Sequence, residues 1–143
     1  VGDDKTVTRP EQTINHALRP TRWDPQDTKQ LDDLMATLAA QQPWNESPLS
    51  RALLFARADL EAIKGSRTVI AITDGHDNRF EQDAELAKRF KNVPELLKAA
   101  FDNQGISLHM IVFPTNDANE KKAIDEFRTI ETFQPAGKVH SIR

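Results

Sequence analysis

The sequence predicts a protein of the α/β class in which helices cover both faces of a mainly parallel sheet. The chain has 143 residues, of which 38% are hydrophobic and 29% charged, enough apolar material for one folded domain. The segment from Thr68 to Thr73 is apolar and largely β-branched without alternation, which is typical of a strand buried on both faces. Strand-like and helix-like segments alternate from there onward, so we expect residues 1–143 to form a single domain.

The chain before this strand opens with weak patterns. The first twenty residues favour only short strands, at Thr6–Thr8 and Thr13–Leu18, because prolines interrupt them. A first helix is predicted to start at Asp24-Pro25, which joins a capping side chain to a proline suited to the first helical position. Its apolar residues are spaced as one helical face, and it should end between Gln41 and Pro43.

A second helix is predicted to follow at once. Ser47-Pro48 repeats the pairing of a capping residue with proline, and leucine, alanine and isoleucine keep the helical period as far as Ile63. Gly65 is expected to end this helix. Beyond the strand at residues 68–73 we expect, in order, helices at Asp83–Phe90 and Pro94–Asn103, a strand at Ile106–Phe113, a helix at Asn119–Phe133 and an edge strand at Val139–Ile142.

The composition of the chain argues against some classes of binding partner. The net charge is −3 and the charged residues of both signs are interspersed, so a nucleic-acid partner is not expected. No apolar run has the length of a membrane span. The absence of cysteine excludes disulfides and cysteine-based metal sites but leaves the compartment open, and we favour an extracytoplasmic location over a cytoplasmic one.

Two polar side chains are expected to meet beyond the carboxyl ends of the strands, where open α/β sheets bind ligands. Asp74 is the first charged residue after the buried strand, and Ser47 presents a hydroxyl at the start of the second helix. Carboxylate and hydroxyl oxygens are hard ligands that suit Mg²⁺, Mn²⁺ or Ca²⁺. The ordinary alternatives stay open, because Ser47 can serve only as a helix cap and Asp74-Gly75 only as a turn.

The ordered set of segments resembles the later part of a von Willebrand factor A-type domain. The resemblance lies in Ser47-Pro48-Leu49 with Ala52-Leu53 behind it, and in the strand that ends in Ile72-Thr73-Asp74-Gly75. Gly105-Ile106 before the next strand and Gly137 after the late helix follow in the family's order, so that the similarity covers about residues 24–142.

The resemblance implies a three-layer Rossmann-like sandwich and a protein-binding, adhesion-type module of a larger protein, not an enzyme. In the family a divalent cation, Mg²⁺ or a similar ion, is held by residues that match Ser47 and Asp74, and an acidic side chain of the protein partner completes the coordination shell. Ser47 departs from the family's threonine at that position but keeps the hydroxyl.

A second departure concerns the family's Asp-x-Ser-x-Ser motif, which occurs nowhere in this chain. Val1-Gly2-Asp3-Asp4 resembles the tail of the family's second strand, so we expect an N-terminally truncated domain whose metal site is incomplete and binds no ion tightly by itself. A missing central strand would leave a sheet edge open, and we therefore expect the chain either to rearrange or to self-associate through that edge as a homo-oligomer.

Two rival hypotheses remain. One is a metal-dependent α/β hydrolase with Asp74, His76 and Asp77 as ligands, although no nucleophile elbow and no phosphate-binding glycine loop occurs. The other is a degenerate domain of the same family that acts as a metal-free assembly surface. His76 is more simply an exposed loop residue and His109 a packed one, and Trp44 beside Ser47 is a candidate partner contact whose ordinary role is packing.

Overall fold

The structure of the protein is a computed structural model that describes residues 22, 24–40, 48–74, 77, 79–113 and 118–142. The chain divides into two compact units, residues 1–45 and residues 46–143. The short strands predicted in the first twenty residues lie outside the described residues.

The described part of the first unit is one helix, α1 (Thr28–Ala39), preceded by a turn. Its cap is Asp27, whose carboxylate accepts a hydrogen bond from the Lys29 amide. The prediction that Asp24 caps this helix is therefore wrong: Asp24 instead accepts from the Gln26 amide and shapes the turn ahead of the helix. The helix ends at Ala39, close to the predicted end, and its apolar stripe of Leu31, Met35 and Leu38 is exposed.

The second unit is a mixed α/β arrangement around a three-stranded sheet. Its elements are, in chain order, α2 (Leu49–Leu60), β1 (Arg67–Thr73), α3 (Ala84–Arg89), α4 (Val93–Phe101), β2 (Ile106–Val112), α5 (Ala118–Phe127), a 3₁₀ segment (Arg128–Thr132) and β3 (Lys138–Ser141). The strand order is β1-β2-β3 and both pairings are parallel. The α/β class and the parallel sheet predicted from the sequence are thus confirmed.

The hydrophobic core lies on one face of this sheet. Alternate residues of the strands point into it, because successive side chains of a strand face opposite sides. These strand residues pack with the buried faces of α2, α3, α4, α5 and the 3₁₀ segment; the members contributed by the strands are Val69, Ile106, Leu108, Met110 and Val112. On the opposite face Ile70 and Ile72 are 63% and 68% exposed. The described helices of the second unit therefore lie on one face of the sheet, and a helical layer on the other face stays a prediction.

The helix boundaries differ from the prediction at α2. Pro48 is its cap residue and not its first helical residue, and the side chain of Pro48 accepts no hydrogen bond from the helix. The helix ends at Leu60, so Ile63 lies beyond it, and Gly65 falls in the connection to β1 with a φ of 102° that only glycine adopts readily. The late helix predicted to reach Phe133 is shorter as an α-helix and finishes as the tighter 3₁₀ segment.

We predict that Ile130→Ala lowers the free energy of unfolding by about 2–5 kcal/mol, because it leaves a cavity in a close-packed core. Ile130 is completely buried, and a Cβ added to Gly137 would lie only 3.0 Å from its side chain. Urea unfolding followed by circular dichroism measures the change. Ile63→Ala is the matched control because Ile63 is 47% exposed, and an equal loss in the two variants would contradict the assignment of the core.

Candidate functional site

An open groove lies at the carboxyl ends of β1 and β2. It has a volume of about 480 Å³ and is lined by Pro48, Leu49, Ala52, Ile72, Thr73, Asp74 and Phe113. The start of α2 forms one wall, and the ends of the two strands form the other. The walls are mostly apolar, and Asp74 brings an exposed carboxylate to the end of the β1 wall. The arrangement follows from the parallel pairing, since the carboxyl ends of parallel strands meet at one edge of a sheet.

Of the two predicted metal ligands, the structure describes one. Asp74 lies where the sequence predicted, directly after β1 and in the same groove as the first residues of α2. Ser47 lies outside the described residues, as do His76 and Trp44, which the sequence also singled out. The sequence predicted that the end of β1 and the start of the second helix lie close together. The structure shows this for Asp74, which lines the groove together with Pro48 and Leu49.

Asp77 has a position that the sequence did not predict. Its Oδ2 accepts a hydrogen bond of 2.7 Å from the backbone amide of Ser50 at the start of α2, and its Oδ1 accepts one of 3.0 Å from the Arg79 amide. The loop after β1 thus caps α2 from a distant part of the chain and supplies the acceptor that Pro48 lacks. A negative charge is also favourable at a helix N-terminus because of the helix dipole. The side chain of Ser50 is buried, and its Oγ has no hydrogen-bond partner among the described residues.

A second polar contact joins α2 to α3. Arg51 donates to Asp83 Oδ2 from Nε at 3.0 Å and from Nη2 at 2.6 Å, and also to Glu85 at 3.1 Å. The Asp83 side chain is only 3% exposed, and its Oδ1 caps α3 by accepting from the amides of Glu85 and Leu86. Burial works against the charge on Arg51, but the hydrogen bonds to the two carboxylates outweigh it and raise the pKa of Arg51 above its ordinary value.

Among the described residues, Asp74 is the one predicted ligand that can bind a hard cation. Asp74 supplies a carboxylate oxygen of the kind that Mg²⁺ and Ca²⁺ bind. Within the described residues no group of three histidine, aspartate or glutamate side chains is assembled to hold a metal ion. Asp77, a ligand in the hydrolase hypothesis, already accepts backbone hydrogen bonds with both of its oxygens.

The histidines of the strands lie away from the groove. His109 and His140 are on neighbouring strands, and their rings stack with centroids 6.0 Å apart. His109 is half-buried by this contact, while His140 stays exposed. The sequence predicted that His109 is packed. In the structure it packs against the ring of His140 on the sheet surface and not in the core.

Comparison of the chain with known protein families, curated proteins and solved structures gives no match. Among the described helices, none has both the length and the apolar character that crossing a membrane requires.

We predict that Asp77→Ala destabilises the protein by about 1 kcal/mol, because the Ser50 amide loses its acceptor. Hydrogen exchange at that amide should quicken, and urea unfolding gives the overall change. Asp59→Ala is the control, since Asp59 lies exposed near the other end of α2. Unchanged exchange at Ser50 in Asp77→Ala would refute the capping role.

We predict that Arg51→Ala costs roughly 3 kcal/mol, because removing one partner of a buried pair leaves the carboxylate of Asp83 uncompensated. The Arg51 side chain is only 14% exposed, whereas Arg89, which also lies near Glu85, is 60% exposed. Arg89→Ala should therefore change the free energy of unfolding by less than about 0.5 kcal/mol. Chemical denaturation of the two variants side by side tests this, and similar losses would show that burial of the Arg51 pair is not the deciding factor.

Proposed function

We propose that the chain is part of a von Willebrand factor A-type, protein-binding module of a larger protein, and that its partner binds at the groove beside Asp74 with the help of a divalent cation. One observation carries this proposal: the carboxylate of Asp74 and the first residues of α2 line the same groove at the carboxyl edge of a parallel sheet. That is the geometry expected from the order of sequence segments, and this edge is the usual ligand-binding edge of α/β sheets. The full three-layer Rossmann-like sandwich belongs to the same proposal.

The chemistry follows from the residues of the groove. Asp74 would hold a hard cation together with the hydroxyl of Ser47, and the ion would attract a carboxylate of the partner. Two ligands hold such an ion only weakly, so we expect further oxygen ligands to come from elsewhere in the larger protein. The apolar walls at Leu49, Ala52 and Ile72 suit a hydrophobic side chain next to that carboxylate.

The two polar contacts behind the groove support a binding function. The carboxylate of Asp77 on the Ser50 amide and the Arg51–Asp83 pair fix the start of α2 against the loop that follows β1. A site whose walls are held in place loses less conformational entropy when a partner binds. In both contacts the carboxylates are engaged in capping and pairing, which leaves these carboxylates unsuited to proton transfer. We therefore propose no catalytic residue.

One alternative is favoured by a specific observation. A degenerate domain that acts as a metal-free assembly surface agrees with the lack of any Asp-x-Ser-x-Ser motif in the sequence. It predicts partner binding that is indifferent to chelators, whereas the leading proposal predicts that EDTA abolishes it.

We predict that Mn²⁺ binds weakly beside Asp74 and selectively broadens the amide NMR signals of Thr73, Asp74 and Leu49. Paramagnetic broadening is a suitable measurement because it detects an ion at low occupancy, as expected from so few ligands. Asp74→Ala should weaken the effect at least about tenfold, since a monodentate carboxylate is the main charged ligand.

Asp59→Ala serves as the control variant, because it removes an exposed carboxylate of the same type from α2, away from the groove. It should leave the broadening at Thr73 and Leu49 unchanged. Broadening that persists in Asp74→Ala, or that appears only at other acidic residues, would exclude a cation site at this groove and favour the metal-free alternative.

A further inference from the structure

We infer that His109 and His140 form a binding site for a divalent transition-metal ion of the Zn²⁺, Ni²⁺ and Cu²⁺ class. The two histidines lie on the neighbouring strands β2 and β3, and the centroids of their rings are 6.0 Å apart. The pair shares no residue with the groove beside Asp74, and its ligand atoms are imidazole nitrogens instead of carboxylate oxygens. The inference therefore goes beyond the proposed function and does not depend on it.

The pairing of β3 with β2 brings the two side chains together. His109 is paired with Lys138, and Ile111 is paired with His140, so that the two histidines are diagonal neighbours in the parallel register. Val139, which precedes His140 in β3, packs against the core. Since alternate residues of a strand face opposite sides, His140 points away from the core, as His109 does. Two elements that are fixed by the fold thus present the two imidazoles side by side.

The distance between the rings suits a shared ion. Zinc bonds an imidazole nitrogen at about 2.0–2.1 Å, which places the ion about 3 Å from the centre of the ring. An ion bound to both rings therefore requires ring centres roughly 5–6 Å apart, from a tetrahedral to a wide bond angle. The observed separation of 6.0 Å lies at the wide end of this range, and a small inward movement of one ring completes the site.

The orientation of the rings can adjust to the ion. The two ring planes are inclined by 23°, so that the rings lie nearly face to face, and a nitrogen of each must turn toward the ion. This turn is a rotation about χ2, a broad torsion in histidine that costs little. Because His140 is exposed, its ring can rotate without displacing any residue of the core.

The surroundings of the pair select the class of ion. A neutral imidazole offers one nitrogen lone pair and suits Zn²⁺, Cu²⁺ and Ni²⁺, whereas Mg²⁺ and Ca²⁺ prefer oxygen ligands. The described residues that are paired with the two histidines in the sheet are Ile70, Lys138 and Ile111, and none of them is a carboxylate. Lys138 is cationic and opposes the charge of a bound ion. The two nitrogens therefore hold the ion with moderate strength, and water fills its remaining coordination positions.

An ion at this site would fasten the last strand to the sheet. The strand β3 has only four residues, and among the described strands it pairs with β2 alone. One ligand comes from each of these two strands, so the ion bridges them. Since an ion that binds the folded chain and not the unfolded chain stabilises the fold by mass action, the site couples the concentration of transition-metal ions to the stability of β3.

The test titrates the whole chain with salts of Cu²⁺, Ni²⁺, Zn²⁺ and Mg²⁺. Calorimetry gives the affinities, and the NMR signals of the histidine rings locate Zn²⁺, which is diamagnetic. We expect the ring signals of His109 and His140 to shift together along one Zn²⁺ binding curve. The affinity should be highest for Cu²⁺, followed by Ni²⁺ and Zn²⁺, and Mg²⁺ should leave both rings unchanged.

The variants separate the pair from other histidines and from general charge effects. His140→Gln should weaken Zn²⁺ binding at least about tenfold, because a single imidazole remains, and it should abolish the rise in the urea midpoint that Zn²⁺ causes. Lys138→Gln should strengthen binding at least about twofold, because it removes a like charge beside the ion. His76→Gln is the matched control and should leave binding within about twofold. Circular dichroism verifies that each variant is folded.

Three results would overturn the proposal. The first is a pair of ring signals that follow different binding curves, and the second is Zn²⁺ binding that His140→Gln leaves unchanged. The third is Zn²⁺ binding that is lost in His76→Gln, because it would place the ion in the loop after β1. The groove is tested with Asp74→Ala and the histidine pair with His140→Gln, so that a failure of one proposal is distinguishable from a failure of the other.

Discussion

The parallel pairing of β1 with β2 is the constraint on which the rest of the second unit depends. Parallel neighbours cannot be joined by a short hairpin, so the chain must cross over the sheet between them. The crossover contains α3 and α4, and it buries Val69 and the alternate residues of β2 beneath helices. The crossover must also begin where β1 ends, at the carboxyl edge of the sheet. For that reason Asp74 and Asp77 lie beside the start of α2.

Acidic side chains then fix the ends of the helices. Asp83 uses one oxygen to cap α3 and the other to bind Arg51, so that a single buried carboxylate sets both the start of α3 and its contact with α2. Asp77 does the same for the start of α2. Because a buried carboxylate such as that of Asp83 is stable only when its oxygens are paired, its contacts fix the position of α3 against α2 more than they add to stability.

The sequence predicts the parts of this fold that depend on local patterns. The strands β1 and β2 follow from apolar runs, α3 from the helical segment predicted at Asp83–Phe90, and the position of Asp74 from the strand it follows. The start of α2 is predicted to within one residue by Ser47-Pro48, but the acceptor of the Ser50 amide could not be predicted, because Asp77 lies on a distant segment. The Arg51–Asp83 pair is equally distant in sequence, and no periodicity indicates such a contact. The hydrophobic run in β1 predicted helices on both faces of the sheet, and the described helices of the second unit account for one of these faces.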